Sequence, residues 1–285
     1  MKKVLKWIGI VLGGLVVLII LIVAGLYISA SMRLNKTYNI SVETVKVPND
    51  PSAIARGKRW VSIYCTECHG DNLAGTVVFE DPALGHVDAS NLTPGKGGIG
   101  KEYTDADWVR AIRHGVGPDS KPLLVMPSAD FYNLSDQDLT DIIAALRNLP
   151  PVDQEMRDPQ LTPLGQALVA AGAFGNIIDA ERIDHSGPRP TPVSPAVTAA
   201  YGDYLTRTVG CRTCHGANFA GSKDPNPKAP PAPNITQSGD LKTWSEQDFI
   251  TAARTRKSEF MPWKDLSRMT DDELKAIWLY LKTLR

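Results

Sequence analysis

The sequence predicts an all-α fold, in which an N-terminal transmembrane helix precedes two tandem helical domains. Three observations carry this prediction: a long apolar run near the N-terminus, a pentapeptide that occurs twice, and amphipathic helical patterns that follow both copies in the same order. A chain of 285 residues has room for about two domains. The predicted parts are a cytoplasmic stub with its anchor (1–31), a tether (32–49), the first domain (50–150), a linker (151–193) and the second domain (194–285).

The anchor is predicted from an uncharged apolar run between Trp7 and Ile28, which follows three lysines at positions 2, 3 and 6. As a helix these 22 residues would span about 33 Å, enough to cross the hydrocarbon core. A secretory signal usually has a shorter apolar core of about 7–15 residues. The small residues Ser29-Ala30-Ser31 would still allow cleavage, which remains the alternative. The lysines predict a cytoplasmic N-terminus in a single-pass membrane protein whose bulk lies on the extracytoplasmic, periplasmic side.

The repeated pentapeptide is CTECH at positions 65–69 and CRTCH at positions 211–215. Two cysteines on one helical turn can each form a thioether to one edge of a porphyrin, and the next residue brings an imidazole to the iron. This spacing is typical of covalent attachment of c-type haem. We therefore predict two covalently bound haem c groups. Their attachment residues and proximal iron ligands are Cys65, Cys68 and His69 for the first, and Cys211, Cys214 and His215 for the second.

Four cysteines in two pairs are also compatible with other structures. Two C-x-x-C pairs can form a four-thiolate zinc site, which does not require a histidine directly after each pair. They can also form two disulfides, or a redox dithiol in a thioredoxin-like setting. None of these alternatives explains why the histidine is repeated.

The elements of the first domain are predicted from helix-start signals and apolar spacing. Asp50-Pro51 is a helix start, and Gly57 on this helix would allow another helix to come close. The stretch 70–100 is predicted to be a loop rich in glycine and proline. Capping-box-like openings begin two further helices at Thr104 and Ser135. The last helix carries a half-buried apolar stripe at positions 139, 142, 143 and 146.

The second domain repeats this order. Cys65 maps to Cys211 at an offset of 146, and 135–149 maps onto 270–284 without a gap at an offset of 135, so the loops shorten and the helices do not. Ser194-Pro195 is predicted to begin its first helix. In the linker, 161–174 is predicted to contain a short apolar helix that packs on a domain.

The sixth iron ligand is predicted to be methionine in both domains. Met126-Pro127 lies 57 residues after the first motif's histidine, and Met261-Pro262 lies 46 residues after the second's. A thioether ligand favours reduced iron and raises the reduction potential, which suits a carrier of single electrons. His114 is the competing ligand for the first haem, although its counterpart in the second domain is Thr255. Two further methionines, at positions 156 and 269, are predicted to be structural.

These motifs resemble class I cytochrome c modules. The resemblance lies in the two C-x-x-C-H-G segments, N-L-T-P at 91–94, G-I-G at 98–100, R-H-G-V at 113–116 and the Met-Pro dipeptide at 126. More narrowly, the chain resembles the multihaem cytochrome c subunits of membrane-bound alcohol and gluconate dehydrogenases. Those subunits typically carry three haem motifs, whereas this chain carries two. The resemblance implies small cytochrome c-like helical haem domains, His/Met ligation, and electron flow from a dehydrogenase towards quinone or an oxidase.

The function predicted from these features is a membrane-anchored dihaem electron carrier without catalytic residues of its own. Its expected partners are redox proteins: a dehydrogenase, a quinol-oxidising complex or a terminal oxidase. The zero net charge gives no support to nucleic-acid binding. One alternative is an oxidoreductase, such as a dihaem peroxidase or a haem-thiolate sulfur-compound oxidase, although no cysteine is spare for the latter. Another is a haem-bearing structural subunit of a larger respiratory complex.

Overall fold

The computed structural model describes residues 2–223, 229–258 and 260–285, and within these residues the chain is mostly helical, as predicted. The α-helices are α1 (Lys2–Leu34), α2 (Pro51–Tyr64), α3 (Thr66–His69), α4 (Asp105–His114), α5 (Ser128–Phe131), α6 (Asp136–Arg147), α7 (Pro163–Ala170), α8 (Ala199–Thr208), α9 (Cys211–His215), α10 (Glu246–Thr255), α11 (Trp263–Leu266) and α12 (Asp271–Leu281). Short 3-10 helices lie at Asp179–Glu181 and Asp240–Thr243.

Helix α1 is 33 residues long, and its length and apolar composition would allow it to cross a membrane. At 1.5 Å per residue it extends for about 50 Å. It continues past the predicted apolar run to Leu34, where Asn35 Nδ2 donates to the carbonyl of Ser31 at 2.9 Å. Arg33 in its last turn pairs with Glu181 at 2.7 Å. The end of the apolar helix is therefore attached to the rest of the chain.

The first repeat is built on the packing of α2 against α6. Asp50 begins α2 as predicted, because its Oδ1 accepts the backbone N–H of Ala53 at 2.9 Å. At Gly57 the two helices approach so closely that a Cβ would lie 1.8 Å from the carbonyl oxygen of Asp141. The prediction that this glycine admits a second helix is confirmed.

The second repeat is built in the same way from α8 and α12. Gly202 in α8 is the equivalent of Gly57 in α2. A Cβ at Gly202 would lie 1.9 Å from the carbonyl oxygen of Ala276. The prediction that Ser194-Pro195 begins this helix is wrong. The helix begins at Ala199 because Thr198 adopts extended backbone angles and its hydroxyl accepts the N–H of Tyr201 at 3.2 Å.

We expect Gly202→Ala to destabilise the protein, because the added methyl would force α8 away from α12. Overpacking a tight contact costs about 1–3 kcal/mol. Thermal unfolding of the full chain in detergent measures the effect. Gly13→Ala is the matched control, since a Cβ on that helical glycine meets no atom of the described residues within 4 Å. Equal unfolding temperatures for the two variants would contradict the helix contact.

A small antiparallel sheet corrects the all-α prediction. Strand β1 (Val77–Asp81) pairs with β2 (Gly85–Asp88), and β2 pairs with β3 (Gln160–Leu161). The β-branched and aromatic residues at the start of β1 favour a strand. The turn forms because Asp81 Oδ1 accepts the backbone N–H of Ala83 at 2.8 Å. The stretch predicted as a loop therefore contains a hairpin.

The segment between the repeats packs on the first repeat. Strand β3 adds to the hairpin, and Asn91 Nδ2 donates to the carbonyls of Val152 and Gln154 at 2.8 and 3.0 Å. The short apolar helix predicted here is confirmed as α7, which Thr162 caps by accepting the N–H of Gly165 at 3.1 Å. It packs mainly along α1, which was not predicted.

One buried apolar cluster runs through both repeats. Polar side chains join the two halves around it. Tyr64 Oη lies 2.9 Å from Thr208 Oγ1, and Arg59 donates to Glu273 at 2.8 Å. The Tyr204 hydroxyl accepts the N–H of Ser135 at 3.2 Å. Side chains of the α2–α6 and α8–α12 pairs thus contact each other around the shared core.

Candidate haem sites

The first C-x-x-C-H motif begins at the junction of α2 and α3 and includes all of α3. Cys65, Cys68, His69 and Met126 all line one cavity of about 800 Å³. This volume is within the range of roughly 300–1,000 Å³ that small-molecule and cofactor sites occupy. The structure thus brings together the four side chains that the sequence predicts for the first haem.

The first histidine is held in one orientation. The Nδ1–H of His69 donates to the carbonyl of Ser90 at 2.7 Å, which leaves Nε2 with its lone pair available. Burial lowers the pKa of His69 and so favours the neutral imidazole that binds a metal. Gly70, at φ 79°, lets the chain turn away directly after the motif.

The lining of the cavity suits a porphyrin. Its wall includes the apolar side chains of Tyr64, Leu92, Ile99, Trp108, Ile112, Phe131, Leu134, Ile142 and Leu146. The indole N–H of Trp108 is buried and lacks a hydrogen-bond partner in the part of the chain that the structure describes. The donor set on this wall, two thiols, an imidazole and a thioether, is the set that covalent haem c with His/Met ligation uses. The residues present therefore fit haem.

The second motif has the same local geometry. The Nδ1–H of His215 donates to the carbonyl of Pro233 at 2.9 Å, and the histidine is buried. Gly216 follows at φ 81°. Met261 is half-buried against the shared core, and its N–H donates to Ser258 Oγ at 3.2 Å. Residues 224–228 and 259, between this motif and its methionine, lie outside the described residues.

The loops that follow the two motifs also contain equivalent hydrogen bonds. The N–H of Gly75 donates to the carbonyl of His69 at 2.9 Å, and Gly221 does the same to His215 at 2.9 Å. Further along, the side chain of Asn91 accepts the N–H of Thr93 at 2.9 Å. Asn234 and Thr236 repeat this contact at 2.8 Å. Equivalent hydrogen bonds around each histidine indicate one scaffold used twice.

His114 does not lie at the first candidate site. Its Nδ1 is 3.1 Å from Nδ1 of His185, and its Nε2 is 3.3 Å from a carboxylate oxygen of Glu43. It is not among the residues that line the cavity. The cavity wall carries Met126 instead, on the loop that begins α5. The other two methionines pack elsewhere: Met269 is fully buried in the core, and Met156 contacts Gly75.

The two cysteine pairs belong to separate elements, α3 with its preceding residue and α9. In residues 2–223, 229–258 and 260–285, no three histidine, cysteine, aspartate or glutamate side chains are arranged to share a metal ion. Burial raises the pKa of both Cys65 and Cys211 to about 12. Each pair therefore stands beside its own histidine; Cys65, Cys68 and Cys211 are half-buried, and Cys214 is exposed.

Each repeat also covers the motif of the other. Helix α5 of the first repeat carries Asp130, whose Oδ1 accepts from Thr213 Oγ1 at 3.0 Å. Just after α11 of the second repeat, Arg268 donates to Thr66 Oγ1 in the first motif. The two candidate sites therefore adjoin, with the helix that follows each methionine packed on the opposite C-x-x-C-H segment.

Two carboxylates at this contact were missed by the sequence reasoning. Burial raises the pKa of Asp130 to about 6, and it raises the pKa of Asp265 to about 6 as well. Both residues stand four positions after a predicted methionine ligand, in Met-Pro-x-x-Asp. The repetition of that spacing was the signal that could have identified them.

The chain is similar to cytochrome subunits of several dehydrogenases. "Alcohol dehydrogenase (quinone), cytochrome c subunit" of Gluconacetobacter polyoxogenes is 28% identical over 282 residues, covering 84% of this chain and 58% of the relative. "Fructose dehydrogenase cytochrome subunit" of Gluconobacter japonicus is 28% identical over 249 residues, covering 77% and 50%. "Gluconate 2-dehydrogenase cytochrome c subunit" of Pantoea cypripedii is 27% identical over 256 residues, covering 77% and 56%.

The chain thus spans about half the length of the curated relatives it matches. The predicted resemblance to cytochrome c subunits of alcohol and gluconate dehydrogenases is confirmed. A family model described as "Cytochrome C oxidase, cbb3-type, subunit III" matches residues 52–144 and 198–281, the two segments that carry the repeated motif. With its haem motifs inside both matched segments, the chain belongs to this family of c-type cytochromes.

Proposed function

We propose that this protein is a membrane-anchored dihaem cytochrome c that transfers single electrons between extracytoplasmic or membrane redox partners. The observation that carries the proposal is the 800 Å³ cavity, whose wall holds two cysteines, a histidine and a methionine from one repeat. The chemistry that haem c supplies when bound is one-electron exchange at its iron. The chain's part is to attach, orient and enclose that group.

In this proposal the two repeats are tandem cytochrome c domains, at 50–150 and 194–285. The first haem is attached to Cys65 and Cys68, with His69 and Met126 as iron ligands. The second is attached to Cys211 and Cys214, with His215 and Met261 as ligands. The hydrogen bonds that follow each histidine are equivalent in the two repeats, which supports the same haem attachment at both motifs. The contact between the repeats supports electron exchange between the sites.

For partners, we propose a dehydrogenase as electron donor and membrane quinone or a terminal acceptor as the destination. The similar proteins are named as cytochrome subunits of alcohol, fructose and gluconate dehydrogenases, which supports a place in such a complex. Helix α1 would hold the haem domains at the periplasmic face of the cell membrane. The chain is then an electron-carrying subunit, and substrate oxidation belongs to its partner.

We expect two haem c groups per chain, one for each motif. The pyridine haemochrome spectrum, normalised to protein, measures the number, and the mass of the intact chain checks that attachment is covalent. Cys65→Ser with Cys68→Ser should leave one haem, and so should Cys211→Ser with Cys214→Ser. Replacing all four should leave none. A wild-type ratio of one or zero would contradict the dihaem proposal.

A further inference from the structure

An uncharged segment lies beside the end of α1. Residues 159–178 contain no Asp, Glu, Lys or Arg and include the whole of α7. Helix α7 packs along α1, whose one buried residue, Ala30, lies just past the apolar run that ends at Ile28. The segment therefore lies where α1 would leave the hydrocarbon core.

Apolar side chains on this side of the molecule are exposed. Leu164 in α7 is 49% exposed and Val77 in β1 is 50% exposed. The ring of Phe79 lies 6.2 Å from that of Phe174, centroid to centroid. Helix α7 is also tied to the hairpin, because Thr162 Oγ1 donates to the carbonyl of Ala83 at 2.6 Å. We call residues 77–79 and 159–178 the apolar platform.

We propose that the apolar platform rests on the phospholipid surface at the headgroup–acyl boundary, on the side of the membrane where α1 emerges. This inference rests on the proposed function only in that α1 spans the bilayer. The platform is continuous with the membrane helix, it is uncharged along 159–178, and it exposes the apolar side chains of Leu164 and Val77. Exposed apolar patches of this kind mark membrane or protein contacts, and continuity with α1 selects the membrane.

This placement orients the first candidate site. The cavity that holds Cys65 and His69 is also lined by Leu34 and Asn35 at the end of α1, and by Gln166 of α7. With the platform on the bilayer, the first site therefore lies next to the membrane surface. A membrane-bound redox partner would then exchange electrons with the first site.

Photolabelling of the haem-loaded full chain in phospholipid vesicles tests the proposal. The probe is a phospholipid with a diazirine near its glycerol backbone, and labelled peptides are identified by mass spectrometry. We expect label in α1 and in residues 159–178, and background label in the peptide of α10. Leu164→Glu combined with Phe174→Glu should reduce label in 159–178 to that background. Leu279→Glu, at a 37% exposed leucine of α12, should leave it unchanged.

Haem absorption spectra equal to wild type establish that the variants fold. Label confined to α1, or label in 159–178 that persists in the double variant, would each overturn the platform. Label absent from α1 itself would overturn the membrane anchor of the proposed function instead. Haem content, measured on the same samples, reports on the cytochrome proposal separately from both.

Discussion

Replacing Met126 or Met261 by leucine is expected to lower the reduction potential of the haem in that repeat and to abolish its Met-to-iron absorption band. Thioether sulfur stabilises reduced iron, so its loss favours the oxidised state. Leucine keeps nearly the same apolar volume, and the cavity wall should survive the change. Each single variant should lose about half of the band, and the double variant all of it, if both sites have methionine ligands. Spectroelectrochemical titration measures both effects.

The chain provides matched controls in its other methionines. Met156→Leu lies beside Gly75 and outside the cavity lining, and Met269→Leu lies in the core. Both controls should keep the band and both potentials. Unchanged spectra in the two ligand variants would show that the sixth ligands are other residues. Loss of the band in a control variant would assign the ligand to that methionine.

Arg113→Met is expected to destabilise the protein by about 3–5 kcal/mol, the usual cost of removing one partner from a buried ion pair. The Arg113 side chain is only 1% exposed. It donates to Glu43, to Asp136 at 3.0 Å and to the carbonyl of Leu134 at 2.8 Å. Without the guanidinium, the Glu43 carboxylate keeps its burial and loses its main cation. Denaturant unfolding of the full chain measures the loss.

Arg189→Met is the matched control, because Arg189 donates to the same Asp136 at 2.7 Å but is 55% exposed. Exposed ion pairs contribute about 0–1 kcal/mol, so this variant should unfold almost like wild type. Similar losses for the two variants would contradict the buried network. Because both arginines pair with Asp136, the difference between the two variants measures the effect of burying the arginine.

The contacts among Arg113, His114 and Glu43 also predict that the stability of the fold depends on pH. Burial alone would raise the pKa of Glu43, but hydrogen bonds from His114 and Arg113 outweigh it and lower the pKa to about 2. A carboxylate with a lowered pKa in the folded state stabilises the fold above its ordinary pKa of 4.5. That stabilisation is lost as the pH falls from 4.5 towards 2. Arg113→Met should flatten the wild-type decline in this interval.

Several local features were predictable because they depend on residues three or four positions apart. The side chains of Thr104 and Ser135 cap α4 and α6 as predicted, and Thr270, which maps onto Ser135, caps α12. The run from Val77 carried a strand signal as well, but the surrounding glycines and prolines favoured a loop. Strand β3 has only two residues, and no local pattern indicates so short a strand.

His114 shows what local patterns leave open. Beside an arginine and a glycine, its sequence position was compatible with a haem ligand. The structure directs its ring to Glu43 and His185, both 71 residues away along the chain. No spacing rule relates these three positions. Their contact depends on how the tether and the linker pack on α4.

The apolar helix, the two C-x-x-C-H motifs, the duplicated order of helices and most helix starts can be inferred from the amino-acid sequence, because motif spacing and local hydrogen bonds involve residues within one or two turns. Only the tertiary structure shows that α7 lies on α1, that the buried Arg113 pairs with Glu43 and Asp136, and that each repeat packs Asp130 or Arg268 on the other's motif. Those contacts join residues far apart in the chain. Their energies depend on which surfaces pack together and become buried from water.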